Sequence, residues 1–121
     1  MKLLTVAIPC YNSADYMRRS IDSALSGGEL VEVLIIDDGS AKDDTLRIAK
    51  SYEERYPGIV RAIHQENGGH GEAVNTGLKN ASGLYFKVLD SDDRLDKASF
   101  QAVLSKLSEF SGEEGSEEPV D

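Results

Sequence analysis

Asp90, Asp92 and Asp93 stand together where an apolar run ends, in "VLDSDDRLD" at residues 88–96, and Asp96 closes the stretch. Four carboxylates in seven positions repel one another, and each is costly to desolvate. Such a stretch is either a solvated turn or the seat of a cation. Three other segments carry chemistry in the same setting, just past a run of β-forming apolar residues. Pro9-Cys10-Tyr11-Asn12 follows "LLTVAI", Asp37-Asp38-Gly39-Ser40 follows "LVEVLII", and "HQENGGHGE" brings His64 and His70 after "IVRAI". Clustered carboxylates are hard oxygen ligands, suited to one Mg²⁺ or Mn²⁺ shared with phosphate oxygens.

Several familiar phosphate and metal motifs are excluded. A dinucleotide fold needs G-x-G-x-x-G after its first strand, where this chain has "PCYNSA". A Walker loop is absent. An EF-hand reading of "DSDDRLDKASFQ" fails because Arg94 takes an acidic position, Leu95 the glycine and Gln101 the final glutamate. A phosphoacceptor receiver domain places its acidic pair after the first strand, whereas Asp37-Asp38 follows the second.

The elements that must position these residues alternate regularly. Strands are read at 3–8, stopped by Pro9, and at 30–36, 59–64 and 84–89. The third is the most polar and so lies nearer an edge. Met17, Ile21, Ala24 and Leu25 recur at helical spacing after a cap at Asn12 or Ser13, and Gly27-Gly28 ends that helix. A second helix carries Leu46, Ala49, Tyr52 and Tyr56 on one face, behind a Ser40–Asp43 capping box, and Pro57-Gly58 stops it. Val74, Leu78 and Ala81 mark a short helix over 71–81. A last helix opens near Asp96, with Leu95 and Phe100 as a hydrophobic staple and Phe100, Val103, Leu104 and Leu107 as its stripe. Phe110 is read as core. The order βαβαβαβα implies a parallel sheet covered by helices on both faces, with right-handed crossovers. In such sheets ligands bind beyond the strands' C-terminal ends, where the chemistry-bearing residues fall.

Bulk properties narrow the function classes. The chain's 121 residues suffice for one modest domain with a core, and 40% hydrophobic content fits a soluble one. Thirteen basic against 22 acidic residues give a net charge of −9, with no basic stripe, which argues against nucleic acid as a partner. A single cysteine, Cys10, allows no internal disulfide and is read as a small packed residue. The N-terminus has too short an apolar stretch for a signal peptide, and no segment approaches the ~20 apolar residues of a membrane span, so a cytoplasmic location is expected. Residues 111–121, "SGEEGSEEPVD", read as a flexible acidic tail or linker after a unit at 1–110, as in the front portion of a longer protein.

Taken together, "VAIPCYNSADYMRRSIDSAL", "VLIIDDGSAKDDT" and "HQENGGHGEAVNTGLKNASGLYFKVLDSDD" resemble the nucleotide-binding half of family 2 glycosyltransferases with the GT-A fold, over about residues 3–110. The resemblance implies a three-layer, Rossmann-like α/β fragment with strand order 3-2-1-4, so that strands 1 and 4 flank the switch point and bring Tyr11 beside Asp90 and Asp92. It implies a nucleoside-diphosphate-sugar donor, UDP-linked, and an inverting transfer to an unidentified acceptor (glycan, lipid or protein). Pro9 and Tyr11 then line the nucleobase pocket, and Asp38 accepts a hydrogen bond from the base. Asp90-Ser91-Asp92 is the D-x-D motif: Asp90 lies near ribose and metal, and Asp92 binds the metal, Mn²⁺ or Mg²⁺. His70 and Asn75 are possible donor contacts, while Asp37 holds its turn, Asp93 leads a helix and His64 is a half-buried strand end. Val74 stands where many members carry a basic residue, which removes a phosphate contact there.

The catalytic base is expected beyond Asp121, which leaves the fragment inactive on its own, and the full-length protein is expected in the cytoplasm or peripherally at a membrane. The fragment is also expected to self-associate through the edge of strand 4. Two other classes remain open: a nucleotide-sugar-binding module without transfer activity, and a nucleotidyltransferase. The latter usually shows a Gly-rich basic loop after strand 1, which this chain lacks.

Overall fold

The computed structural model of the chain describes residues 2–116. Four strands, β1 (Leu4–Cys10), β2 (Val31–Asp38), β3 (Val60–Gln65) and β4 (Tyr85–Val88), alternate with four helices, α1 (Met17–Leu25), α2 (Thr45–Arg55), α3 (His70–Asn80) and α4 (Lys97–Ser116). The sheet is wholly parallel in the order β3-β2-β1-β4. Every residue of β1 and β2 is buried, whereas β3 and β4 are partly exposed, as edge strands are. With both faces of the central strands covered, their sequences read as continuous apolar runs.

The two faces are covered unequally. Leu4, Val6 and Ile8 of β1 and Val31, Val33 and Ile35 of β2 meet Met17 and Ile21 of α1, Ile48 and Tyr52 of α2, and Phe100 and Leu104 of α4. On the other face Ala7, Leu34 and Ile36 meet Ala73 of α3, with Ile63 and Phe86 alongside. Alternation along β2 therefore sends Asp37 toward one layer and Asp38 toward the other. A close approach fixes α3: a Cβ at Gly77 would lie 2.9 Å from the Ala7 Cβ, so only glycine lets the helix sit this close.

Several sequence expectations shift. β1 continues through Pro9 to Cys10, paired with Ile36 and Asp37. The Ala7 carbonyl accepts the Leu89 N–H on the β4 side, so strand alternation puts the Pro9 nitrogen on that side too. The last β1–β4 pair is Ala7 with Val88. Pro9 thus costs no bond to β2 and ends the ladder to β4, parting the two strands at the switch point. In α2 the buried face is Thr45, Ile48, Ala49 and Tyr52, with Leu46 only half-buried. The Ser40–Asp43 capping box does not form. The Ser40 hydroxyl accepts the Asn12 N–H at 2.8 Å, and the Asp43 carboxylate accepts from Ala14 N–H and from Thr45, so both serve the β1–α1 loop. α3 turns Ala73 and Gly77 to the sheet and leaves Leu78 56% exposed. In α4 Phe100 and Leu104 are buried and Leu107 is half-buried, while Val103 and Phe110 face out. α4 runs on to Ser116, into the segment whose composition reads as tail; residues 117–121 lie outside the described residues.

Candidate functional site

Where β1 and β4 part, a cleft of about 420 Å³ opens beyond the C-terminal ends of the strands. Pro9, Tyr11, Asp38, His70, Asp90 and Asp92 all line it, so six of the seven residues singled out in the sequence converge. Asn75 does not: it lies on an exposed part of α3, outside the cleft. Cys10, Ser13, Tyr16, Asn67, Gly69, Ala73 and Ser91 also contribute. Their small or neutral side chains carry no charge pattern in the sequence that marks them as a site.

The acidic wall is built by a turn. The Asp93 N–H donates to the Asp90 carbonyl at 3.0 Å, which folds Asp93 back beside its neighbours. Oxygens of Asp90, Asp92 and Asp93 then lie within 4.8 Å of one another, all exposed. Asp93, expected only to lead a helix, is thus a third carboxylate of the cluster, and its adjacency in "DSDD" was the available signal. Three oxygen donors without nitrogen or sulfur fit a hard divalent cation. Across the cleft, His70 opens α3 and places Nε2 3.2 Å from the Asp90 carboxylate. Tyr11 stands 52% exposed over the cleft rather than packed on α1.

Asp38 is nearly fully buried, and its carboxylate is held by four donors. One oxygen accepts Gln65 Nε2 and the Gly68 N–H, both at 2.8 Å; the other accepts the Gly69 N–H at 2.9 Å and Asn67 Nδ2 at 3.3 Å. Burial alone would raise its pKa, but the Gly68 N–H, the Gln65 amide and the Gly69 N–H outweigh it and leave the pKa below the ordinary carboxylate value. A carboxylate offers about four acceptor positions, so the group that the resemblance casts as base reader is already fully engaged in pinning the β3–α3 loop. Gln65 is itself bridged to Thr76 of α3. The same loop presses on Gly39, which has φ 75° and whose Cβ would lie 2.6 Å from the Asn67 nitrogen. No residue with a Cβ fits there.

Asp37 is fully buried and holds its turn as expected, accepting the Ser40 N–H at 3.1 Å. Its other oxygen meets His64 Nδ1 at 2.7 Å. His64 is exposed rather than half-buried and stands outside the cleft. The Cys10 thiol is pushed up to about 12, first by burial and then by the nearby Asp37 charge, so it is no nucleophile near neutral pH.

Comparison with known proteins agrees with this arrangement. The profile of Glycosyl transferase family 2 matches residues 5–111. An uncharacterized glycosyltransferase of Rickettsia prowazekii is 45% identical over 92 residues, covering 75% of this chain and 27% of its own length. The chondroitin synthase of Escherichia coli is 41% identical over 106 residues, covering 87% of this chain and 15% of its own. The S. aureus TarS 1-349 structure in complex with UDP-GlcNAc superposes with a TM-score of 0.77 at 30% identity, over 90% of this chain and 32% of that one. The chain therefore spans less than a third of each of these relatives. With a match that runs from β1 into α4, and a four-stranded sheet and loop order to go with it, the chain belongs to glycosyl transferase family 2.

Proposed function

We propose that this chain is the donor-binding portion of an inverting, metal-dependent glycosyltransferase, holding a nucleoside-diphosphate sugar, UDP-linked, in the cleft between the ends of β1 and β4. The observation that carries the reading is the convergence of Asp90 and Asp92, with Asp93 beside them, and of Pro9, Tyr11 and His70 on one cleft. The UDP-GlcNAc complex of the TarS relative supports the choice of nucleotide.

The residues have distinct tasks in this reading. Pro9 and Tyr11 form an apolar wall for the base, and Tyr11 has the exposure to move against it. Asp38 shapes the floor through the loop it pins. Asp90, Asp92 and Asp93 would hold Mn²⁺ or Mg²⁺, which when bound neutralises the diphosphate as it leaves. The N-terminus of α3 opens on the cleft at His70, and the positive end of the helix dipole there favours an anion. Inversion needs a base that takes the acceptor's proton. The relatives are several times longer than this chain, and we assign the base and the acceptor site to parts of such proteins outside residues 1–121, with the whole protein in the cytoplasm or at a membrane surface. Among the described residues no helix is long and apolar enough to cross a membrane.

The test is binding rather than turnover. UDP is expected to bind this chain in Mn²⁺ more tightly than ADP or GDP, measured by calorimetry, with no sugar released from UDP-GlcNAc onto any acceptor. Equal affinity for the three nucleotides overturns the base assignment. A chain that binds none of them overturns the donor-site reading, and transfer by this chain alone overturns the placing of the base.

The sheet's edge yields a second expectation. β4 has no partner on its outer side among the described residues, Leu84 is half-exposed beside it, and Phe110 of α4 is 60% exposed. Unpaired strand edges and apolar surface promote association. The isolated chain is expected to form dimers or larger species as concentration rises, against the repulsion of its net charge of −9. Light scattering checks this, and a strictly monomeric chain at high concentration shows the edge to be protected.

A further inference from the structure

We infer that Ser20 and Ser23 of α1, with Ser13 ahead of that helix, are positioning residues for the carboxylate cluster, fastening the Asp90–Leu95 loop so that its carboxylates face one cation. The inference deepens the donor-site reading and rests on it. The Ser20 hydroxyl donates to the Asp90 carbonyl at 3.2 Å, and the Ser23 hydroxyl accepts the Leu95 N–H at 2.9 Å. The Ser13 and Ser91 hydroxyls are 2.9 Å apart. The loop is thus held at its two ends and at the residue between Asp90 and Asp92. Asp92 and Asp93 stand between the anchors, exposed, with no side-chain hydrogen bond of their own among the described residues.

The bland account of a helical serine is that its hydroxyl bonds back to its own helix. Ser23 and Ser26 do so, donating to the carbonyls of Ser20 and Ser23. Ser20 does not: fully buried, it gives its proton to the loop instead. A buried hydroxyl is costly unless bonded, and alanine is the better helix former, so the loop contact is what the serine supplies. Ser23 uses both capacities of its hydroxyl, donating to Ser20 and accepting from Leu95. Ser20 and Ser23 lie three apart, on one face of the helix.

Holding like charges together opposes their repulsion. Without anchors, three carboxylates spread apart until a cation gathers them, and the cation's affinity falls by the cost of that gathering. With anchors, folding has already set the backbone from which they project. Ser13 extends the same hold to the next loop, because its N–H donates to the Thr45 hydroxyl at 2.7 Å and that hydroxyl donates to Asp43.

The experiment titrates Mn²⁺ alone against residues 1–121 and reads the free aquo ion by electron paramagnetic resonance, with circular dichroism confirming that each variant is folded. Ser20→Ala and Ser23→Ala are each expected to weaken Mn²⁺ binding about tenfold, the lower end for groups that orient metal ligands. Ser23→Thr, which keeps the hydroxyl at a half-exposed position, is expected to retain wild-type affinity. Amide exchange at Leu95 should quicken in Ser23→Ala. A folded Ser20→Ala and a folded Ser23→Ala that both bind Mn²⁺ like wild type overturn the inference. Asp92→Ala is the control for the reading beneath it: if that variant also binds Mn²⁺ like wild type, the cation site itself is wrong, whatever the serines do.

Discussion

Mn²⁺ is expected to raise the affinity of this chain for UDP, and Asp92→Ala is expected to abolish most of that gain. Asp90 and Asp92 line the cleft and lie, with Asp93, within 4.8 Å of one another, all exposed, in a chain of net charge −9. A diphosphate approaching that wall without a cation is repelled by its carboxylates. With a cation the same wall becomes the anchor. Groups that merely orient metal ligands contribute roughly 10–100-fold to affinity, and a direct ligand should contribute at least as much. Calorimetry of UDP in Mn²⁺ and in EDTA, on wild type and variant, gives the comparison. Asp93→Ala should act in the same direction, because the turn at Asp90–Asp93 folds it into the cluster. Wild-type UDP affinity that is equal in Mn²⁺ and EDTA would sink the metal role.

The second large effect is on stability. Asp38→Ala leaves four donors without their acceptor, two of them the backbone N–H groups of Gly68 and Gly69. The donors are only part-buried, so water replaces some of the lost bonds, and a loss of about 1–3 kcal/mol is expected. For a domain of this size that lowers Tm by roughly 4–12 °C. Asp38→Asn should be nearly as damaging, since its amide turns a donor toward donors. The pH dependence has a definite sign. Asp38's pKa is depressed in the folded state, so its contribution is complete above the unfolded value of about 3.9 and fades as pH falls through the lower folded one. Wild type therefore loses stability in acid that the Asn variant never had. The rival role as base reader makes a different forecast: Asp38→Asn then melts like wild type but binds uridine nucleotides more weakly, by ~1.5–3 kcal/mol. Thermal melts without nucleotide separate the two.

The sheet was legible because burying both faces of β1 and β2 demands unbroken apolar runs, and "LLTVAI" and "LVEVLII" supply them. Helix faces were harder. Ile48 and Leu46 are equally apolar, and only the sheet decides which of them turns inward. α3 packs through Ala73 and Gly77, whose value lies in being small, so hydrophobicity points to Leu78, which is exposed. Pro9 looked like a stop because the missing N–H has no direction in a sequence; its side of the strand appears only once β4 is in place. The site followed the same pattern. Asp90 and Asp92 were visible from charge density and resemblance, whereas the recruitment of Asp93 depends on a turn and the loading of Asp38 on a loop about thirty residues away.

β1 sits inside the sheet, yet its two neighbours reach it at very different times. β2 follows after one helix, whereas β4 pairs Leu4 with Tyr85, across most of the chain. On the ribosome, where the chain emerges from its N-terminus, β1, β2 and β3 and their helices can dock while one side of β1 still waits. The closing contact spans the longest loop in the molecule and is the one most penalised by chain entropy. The acidic turn hangs from the strand that makes that contact. The acidic turn is therefore set in place only once β4 has docked, and a chain stalled before β4 exposes a half-built sheet with an open inner edge, a natural hold for chaperones.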